Sequence, residues 1–339
     1  LKAGVLGLLG LSLGLGGSYA YNASVDSNTV REVASDYAGV KIPKPCTCIV
    51  AQDGTGDYDV SPREDASEVI QKAIDDVHRK GGGEVRIREG EYLVEHGIRI
   101  NKDSMLLISA YNAIFKGITG KPAFIFHNKP NTNNMQKIEG AIFKNNGIKI
   151  LDTYHVTIEH CLFYKCDIGV DITNQDYWTE STTIHNCRFR LCNKAIRFTN
   201  FGSHPSFAQS RIHDVDIVGC NVGIEINDNC NVMRSSFLNV TIWLSGTKIG
   251  WKLNGSLSRT LIVTSFDTGN RGGGVGFQLG DKFADWKLPL VICSPSKISK
   301  LVDNPYSKKF KIITRDIIHD QLCLAGKEEV SLPYLPGLG

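Results

Sequence analysis

The chain has 339 residues, 42% of them hydrophobic and 22% charged, the balance of an ordinary folded protein, which excludes disorder over most of its length. Lys and Arg total 38 against 35 Asp and Glu, and this net charge of +3, carried by scattered basic residues, offers no field suited to nucleic acid or an anionic membrane. The 34 glycines against 3 methionines and 11 prolines favour tight turns over long helices, and so an all-β chain.

Residues 1–20 carry one Lys, an uncharged Gly/Leu run and Ser-Tyr-Ala before Tyr21, the build of a secretory signal peptide. The run is shorter than the roughly 20 residues of a spanning helix, and its glycines are poor helix formers, which disfavours a membrane anchor. Retained in a mature protein, such a segment needs cover from a neighbouring subunit. Residues 21–63 read as an N-terminal extension. Asp53, Asp57 and Asp59 there form a D-G-T-G-D-Y-D string with the look of a calcium loop. No distal bidentate Glu follows, so a turn into the first coil explains it as well, and Ca²⁺ is the one cofactor the sequence suggests.

Residues 64–83 form an amphipathic helix in prospect, with Val69, Ile70, Ala73, Ile74 and Val77 on one face. Asp65 or Ser67 is placed to cap its start, and Gly81 to Gly83 end it. From 84 to 280 the chain repeats itself. TIEHCLFYKCDIGVDIT (157–173) returns as TIHNCRFRLCNKAIRFT (183–199), with Cys161 and Cys166 recurring 26 residues on as Cys187 and Cys192. Degenerate copies follow at 211–227, 237–254 and 275–279.

A unit of this length cannot bury its own apolar face, but stacked copies create one continuous core. Ile158, Ile184, Ile212 and Phe237 form one expected inward column, and Phe163, Phe189, Ile217 and Ile242 another; Arg188, Arg190, Asp216 and Thr241 alternate outward. His160, Asn186, Asp214 and Asn239 fall where a bend needs residues tolerant of left-handed geometry. The predicted fold is a right-handed, single-stranded parallel β-helix with an N-terminal capping helix. Residues 281–339 read as a C-terminal cap or oligomerisation tail.

The recurring cysteines belong to columns facing or bordering the core. No C-x-x-C pair occurs, so zinc is not expected, and free buried thiols are the first reading, with Cys46 or Cys230 open to a disulfide with a partner. Asp171, Arg197 and Glu225 share another column, where a ladder of opposite charges is the simplest reading.

Segments 174–181, 200–210, 227–236 and 254–259 all leave equivalent strands, so stacking gathers them on one flank. Tyr177, Trp178, His204, Phe207 and Arg234 are its candidate carbohydrate-binding residues, since rings stack on apolar sugar faces while polar groups bond hydroxyls. Asp176, Glu180 and Asp228 are candidate catalytic carboxylates, because a glycosidase needs two that converge.

The run 50–94, with D-G-T-G-D-Y ahead of the helix, the glycine cluster and a strand ending in G-E-Y, resembles the opening segment of pectate-lyase-like β-helix proteins. The resemblance covers about residues 46–280 and implies the fold. That superfamily spans pectinases, viral tailspikes and surface proteins, so it implies no single activity. The motifs N-T-D, G-H-G and R-I-K of polygalacturonases are missing, as are the pectin methylesterase pattern and a carboxylate cluster of the pectate lyase kind. The expectation is an extracellular, cell-surface or virion protein, tailspike-like, that self-associates as a trimer or filament and contacts a polysaccharide or cell-surface glycan. A ligand-free filament or sheath subunit and a secreted polysaccharide lyase or hydrolase are the alternatives.

Overall fold

A computed structural model describes residues 46–101, 104–127, 135–268, 273–286, 290–295, 298–316 and 323–324. The Gly/Leu segment 1–20, the stretch 21–45 and most of the tail after 316 lie outside these. The described chain is a parallel β-solenoid of about eight turns with one helix.

The repeated residues stack as their spacing predicts. Ile158 pairs with Ile184, Ile184 with Ile212 and Ile212 with Phe237, each in parallel register. The second column runs Tyr92, Phe115, Phe143, Phe163, Phe189, Ile217, Ile242, Phe266 through consecutive pairings. Its rings lie face to face at the centre, with Phe163 and Phe189 centroids 4.7 Å apart at 6°. All are buried, and this offset stacking adds to the burial of large apolar area that holds the coils together.

Each coil turns three corners. The first is built on left-handed residues, with φ of 53° at His160, 50° at Asn186, 55° at Asp214 and 53° at Asn239. Side chains bridge the coils there, Asn239 Nδ2 donating to Asp214 Oδ1 at 2.7 Å, which offsets the cost of the backbone geometry. The second corner repeats the device at Lys165, Leu191 and Gly219, and the residue after each is Cys166, Cys192 and Cys220, all buried. The third corner carries the long segments. Within them Ser206–Ala208, Asn231–Met233, Ser256–Ser258 and Ala284–Trp286 pair in register as a four-stranded sheet that loop-like composition had concealed.

The boundaries differ from the sequence reading at both ends. Cys46–Ala51 lies inside the segment read as an extension, yet it pairs with Gly83–Ile87 and is the first strand of the winding among the described residues. The helix is Ser67–Arg79, shorter than 64–83, and seats Ile70, Ala73, Ile74 and Val77 against the first coil. Asp65 does not cap it in the usual sense; its carboxylate accepts Ser67 N–H at 3.0 Å and Glu95 N–H at 3.2 Å, tying helix to coil. Past 280, Leu290–Pro295 and Lys300–Asp303 still add parallel strands, so coiling outlasts its own sequence signature.

The described cysteines are free thiols. Cys230 is 2% exposed, so the disulfide to a partner considered for it is overturned by burial; Cys46 is half-buried and faces the Gly82 carbonyl. Burial pushes the thiols of Cys230 and Cys293 up to about 12, which keeps them protonated and unreactive.

Candidate functional site

The flank at the third corner is anchored from below by buried polar side chains. Asp152, 1% exposed, accepts the backbone N–H groups of Gln175 at 2.7 Å and Asp176 at 3.0 Å. Asn174, fully buried, donates to the carbonyls of His204 at 2.6 Å and Ser206 at 2.8 Å and accepts Thr179 N–H at 2.7 Å. One amide therefore fixes two neighbouring loops. Asn200, paired with Asn174, donates to the carbonyls of Gly202 and Asn229, and Asn254 Nδ2 donates to Asp228 Oδ1 at 2.6 Å. Gly202 permits the close approach of the two loops, because a Cβ there would fall 1.9 Å from the Gln175 carbonyl oxygen.

On this base three of the expected residues come together. The Tyr177 and His204 rings are parallel within 4°, with centroids 6.5 Å apart, and Trp178 lies tilted against His204 at 4.7 Å. Tyr177 and Trp178 are 47% and 39% exposed, and Phe201 on the next loop is 70% exposed. The outcome is a solvent-facing aromatic platform bordered by exposed Asp176.

Phe207 departs from this picture. It is fully buried, edge-on to Phe198 at 5.5 Å, because Ser206–Ala208 is a strand and alternation turns its central residue inward. It belongs to the core and cannot touch a glycan. Arg234 is exposed at a left-handed corner of the same flank, with φ of 49°.

The candidate carboxylates stand in different settings, Asp176 and Asp228 exposed and Glu180 half-buried. Glu180 is half-buried and pairs with Tyr154 of the preceding coil, and its Oε1 accepts the Ser206 hydroxyl at 3.3 Å. Burial raises its pKa, against the hydroxyl bond and the nearby charge of Arg234. Asp228 is engaged by Asn254, and among the described residues no hydrogen bond or ion pair links Asp176, Glu180 and Asp228.

Asp53, Asp57 and Asp59 each serve their own turn. Asp53 accepts Thr55 N–H at 3.1 Å, Asp57 accepts Ile49 N–H at 2.8 Å and Asp59 accepts Gly56 N–H at 3.2 Å. Among the described residues no group of three or more His, Cys, Asp or Glu is arranged to hold a metal ion.

The charge column stands on the adjoining strands. Arg197 bonds Asp171 with two nitrogens at 2.9 and 2.8 Å, while Lys194 and Lys252 both clamp Glu225, which is 1% exposed. Lys194 and Lys252 hold the Glu225 carboxyl below its usual range even though burial alone would raise it.

Sequence reasoning missed the anchors. Asn174, Asn200, Asn227 and Asn254 stand at the ends of equivalent strands at spacings of 26 to 27, a recurrence visible in the sequence. Asp152 carries no repeating signal.

No protein-family model and no curated protein sequence matches the chain. Among solved structures, the ORF18 protein of Geobacillus virus E2 superposes with a TM-score of 0.52 at 15% identity over 89% of this chain and 67% of that one. A DFA-IIIase from Arthrobacter chlorophenolicus A6, in complex with GF2, gives 0.42 at 11% identity over 79% and 88%, and a pectate lyase 0.38 at 15% over 79% and 80%. At these identities what is shared is the winding, a parallel β-helix. Among the described residues no helix is long and apolar enough to cross a membrane.

Proposed function

We propose that the chain is the β-helix of an extracellular, cell-surface or virion protein, tailspike-like in plan, that grips a polysaccharide or cell-surface glycan on its aromatic flank. One observation carries this reading: Tyr177, Trp178 and His204, drawn from two adjacent loops, form an exposed group of rings whose supports are buried and fully bonded. A platform set in advance binds without first ordering its loops, and flat rings beside carboxylate and amide groups suit the mixed apolar and hydroxylated faces of a sugar. Self-association belongs to the same reading, since the terminal coils of a solenoid need cover.

Affinity electrophoresis in gels containing polysaccharides tests it. Trp178→Ala is expected to lose retention while melting at the wild-type temperature. Equal retention of variant and wild type contradicts the proposal.

A further inference from the structure

The repeat that shapes the wall also sets cysteines against one another. Glu159 pairs with His185 and Leu162 with Arg188, so the register between them places Cys161 directly opposite Cys187 on the next coil. By the same count Cys166 faces Cys192, and Cys192 faces Cys220. All five are buried, at 2% exposure or less. Their side chains meet as well as their backbones: the Cys187 thiol is hydrogen-bonded to that of Cys161, and the Cys192 thiol to those of Cys166 and Cys220.

Packing alone does not call for this. In the first file a small apolar group fills the same place in the adjoining coils, Ala141 before Cys161 and Val215 after Cys187. In the second, Cys166 Sγ donates to the Asn146 carbonyl at 2.7 Å and Cys220 N–H to the Thr247 hydroxyl at 3.3 Å, so groups other than thiols close the file at both ends. Neighbouring coils lie about 4.8 Å apart, inside the range of about 4.4 to 6.8 Å between the Cα atoms of a disulfide. Residues two coils apart, at about 9.6 Å, lie outside it.

We infer that the two files are sites of cross-coil disulfide formation, one bond joining Cys161 to Cys187 and one joining Cys192 to either Cys166 or Cys220, each made by exchange with a small-molecule disulfide. One protein thiol gives up its proton and its sulfur attacks glutathione disulfide; a glutathione thiolate leaves and takes that proton. The opposed thiol then loses its proton, attacks the mixed disulfide and displaces the second glutathione, which takes the proton up. One S–S bond replaces two S–H bonds in the protein, and the two electrons it gives up reduce the oxidant. Burial raises the pKa of the Cys187 thiol in the finished wall, so the exchange belongs to winding, as each coil settles on the last with its sulfurs still within reach of solvent. The third cysteine of the longer file stays a thiol, since Cys192 can bond only one neighbour. These staples join coil to coil and do not involve the glycan flank, so each reading can fail alone.

Unfolding the full reduced chain, refolding it in mixed oxidised and reduced glutathione, blocking the remaining thiols and mapping the unreduced peptides by mass tests it. Cleavage with trypsin and before aspartates separates Cys166 from Cys187, which otherwise share a peptide. In chain that has regained its circular dichroism, four of these five thiols should be lost, to a bond between Cys161 and Cys187 and a bond from Cys192 to Cys166 or Cys220. Cys192→Ser, or Cys192→Ala, should keep the first bond and leave Cys166 and Cys220 both free, because two coils separate them. Absence of either bond from the refolded chain, pairing with a cysteine outside the file, or a bond between Cys166 and Cys220 in the Cys192 variants overturns the inference.

Discussion

The inner wall and the third-corner flank are built from the same coils by opposite means. In the wall, one side chain recurs at each position, and every Phe or Ile rests on its counterpart one coil away. On the flank no two loops share a length or a composition, and order comes from single polar groups, the buried Asp152 and Asn174 and the half-buried asparagines at the later strand ends. Repetition thus makes the scaffold, and departures from repetition make the surface that can recognise something. The wall draws its stability from many equivalent contacts, while the flank depends on a few that have no substitute.

Substitutions at the two kinds of position should separate accordingly. Phe163→Ala removes a ring stacked on both sides and should cost about 3–5 kcal/mol in denaturant unfolding; a cost near that of a surface change would mean the column is not the spine. Asn174→Ala should cost about 1–3 kcal/mol, since it strands two carbonyls and an amide. Its further mark should be lost glycan retention at wild-type secondary structure, measured by circular dichroism and affinity electrophoresis.

The capping helix, like the flank, is tied to the coils in part by a single carboxylate. Burial would raise the pKa of Asp65, but hydrogen bonds from Ser67, His96 and Glu95 outweigh it and hold the carboxyl near about 2. Because the folded value lies below the ordinary one, the ionised form stabilises the fold. That contribution is complete above pH 4 or so and disappears as pH falls toward about 2. Asp65→Asn should flatten the acid limb of a stability curve over that window, and an unaltered limb would remove Asp65 from the account. Trp178→Ala should have the smallest effect on stability, within about 0.5 kcal/mol by the same unfolding measurement, as an exposed ring should. Adding Ca²⁺ or EDTA should leave the melting temperature unchanged, since the carboxylates of Asp53, Asp57 and Asp59 already serve turn amides.

How far the sequence could be read follows from the same contrast. The columns through Ile158 and Phe163 were legible because a period of about 26 repeats both residue and environment, and the left-handed corner at His160 and Asn186 followed from residue type alone. Tyr177, Trp178 and His204 could be grouped because stacking places their loops side by side. Phe207 was misplaced because the short strand around it lies in a Gly/Ser/Pro-rich segment that hides its alternation. Asp152 was invisible, since a lone carboxylate before a loop has the same local sequence whether it faces water or bonds two amides beneath a platform. Coiling beyond residue 280 was missed because the recurring sequence pattern fades there while backbone pairing continues.

Residue-resolved hydrogen exchange in Asn174→Ala tests most directly whether the flank is hung from the wall. The amides of Gln175, Asp176 and Thr179 should lose protection while Val170, Ile172 and Ile196 keep theirs. Protection unchanged at the loop amides, or lost throughout the coil, would contradict the division of labour between wall and flank.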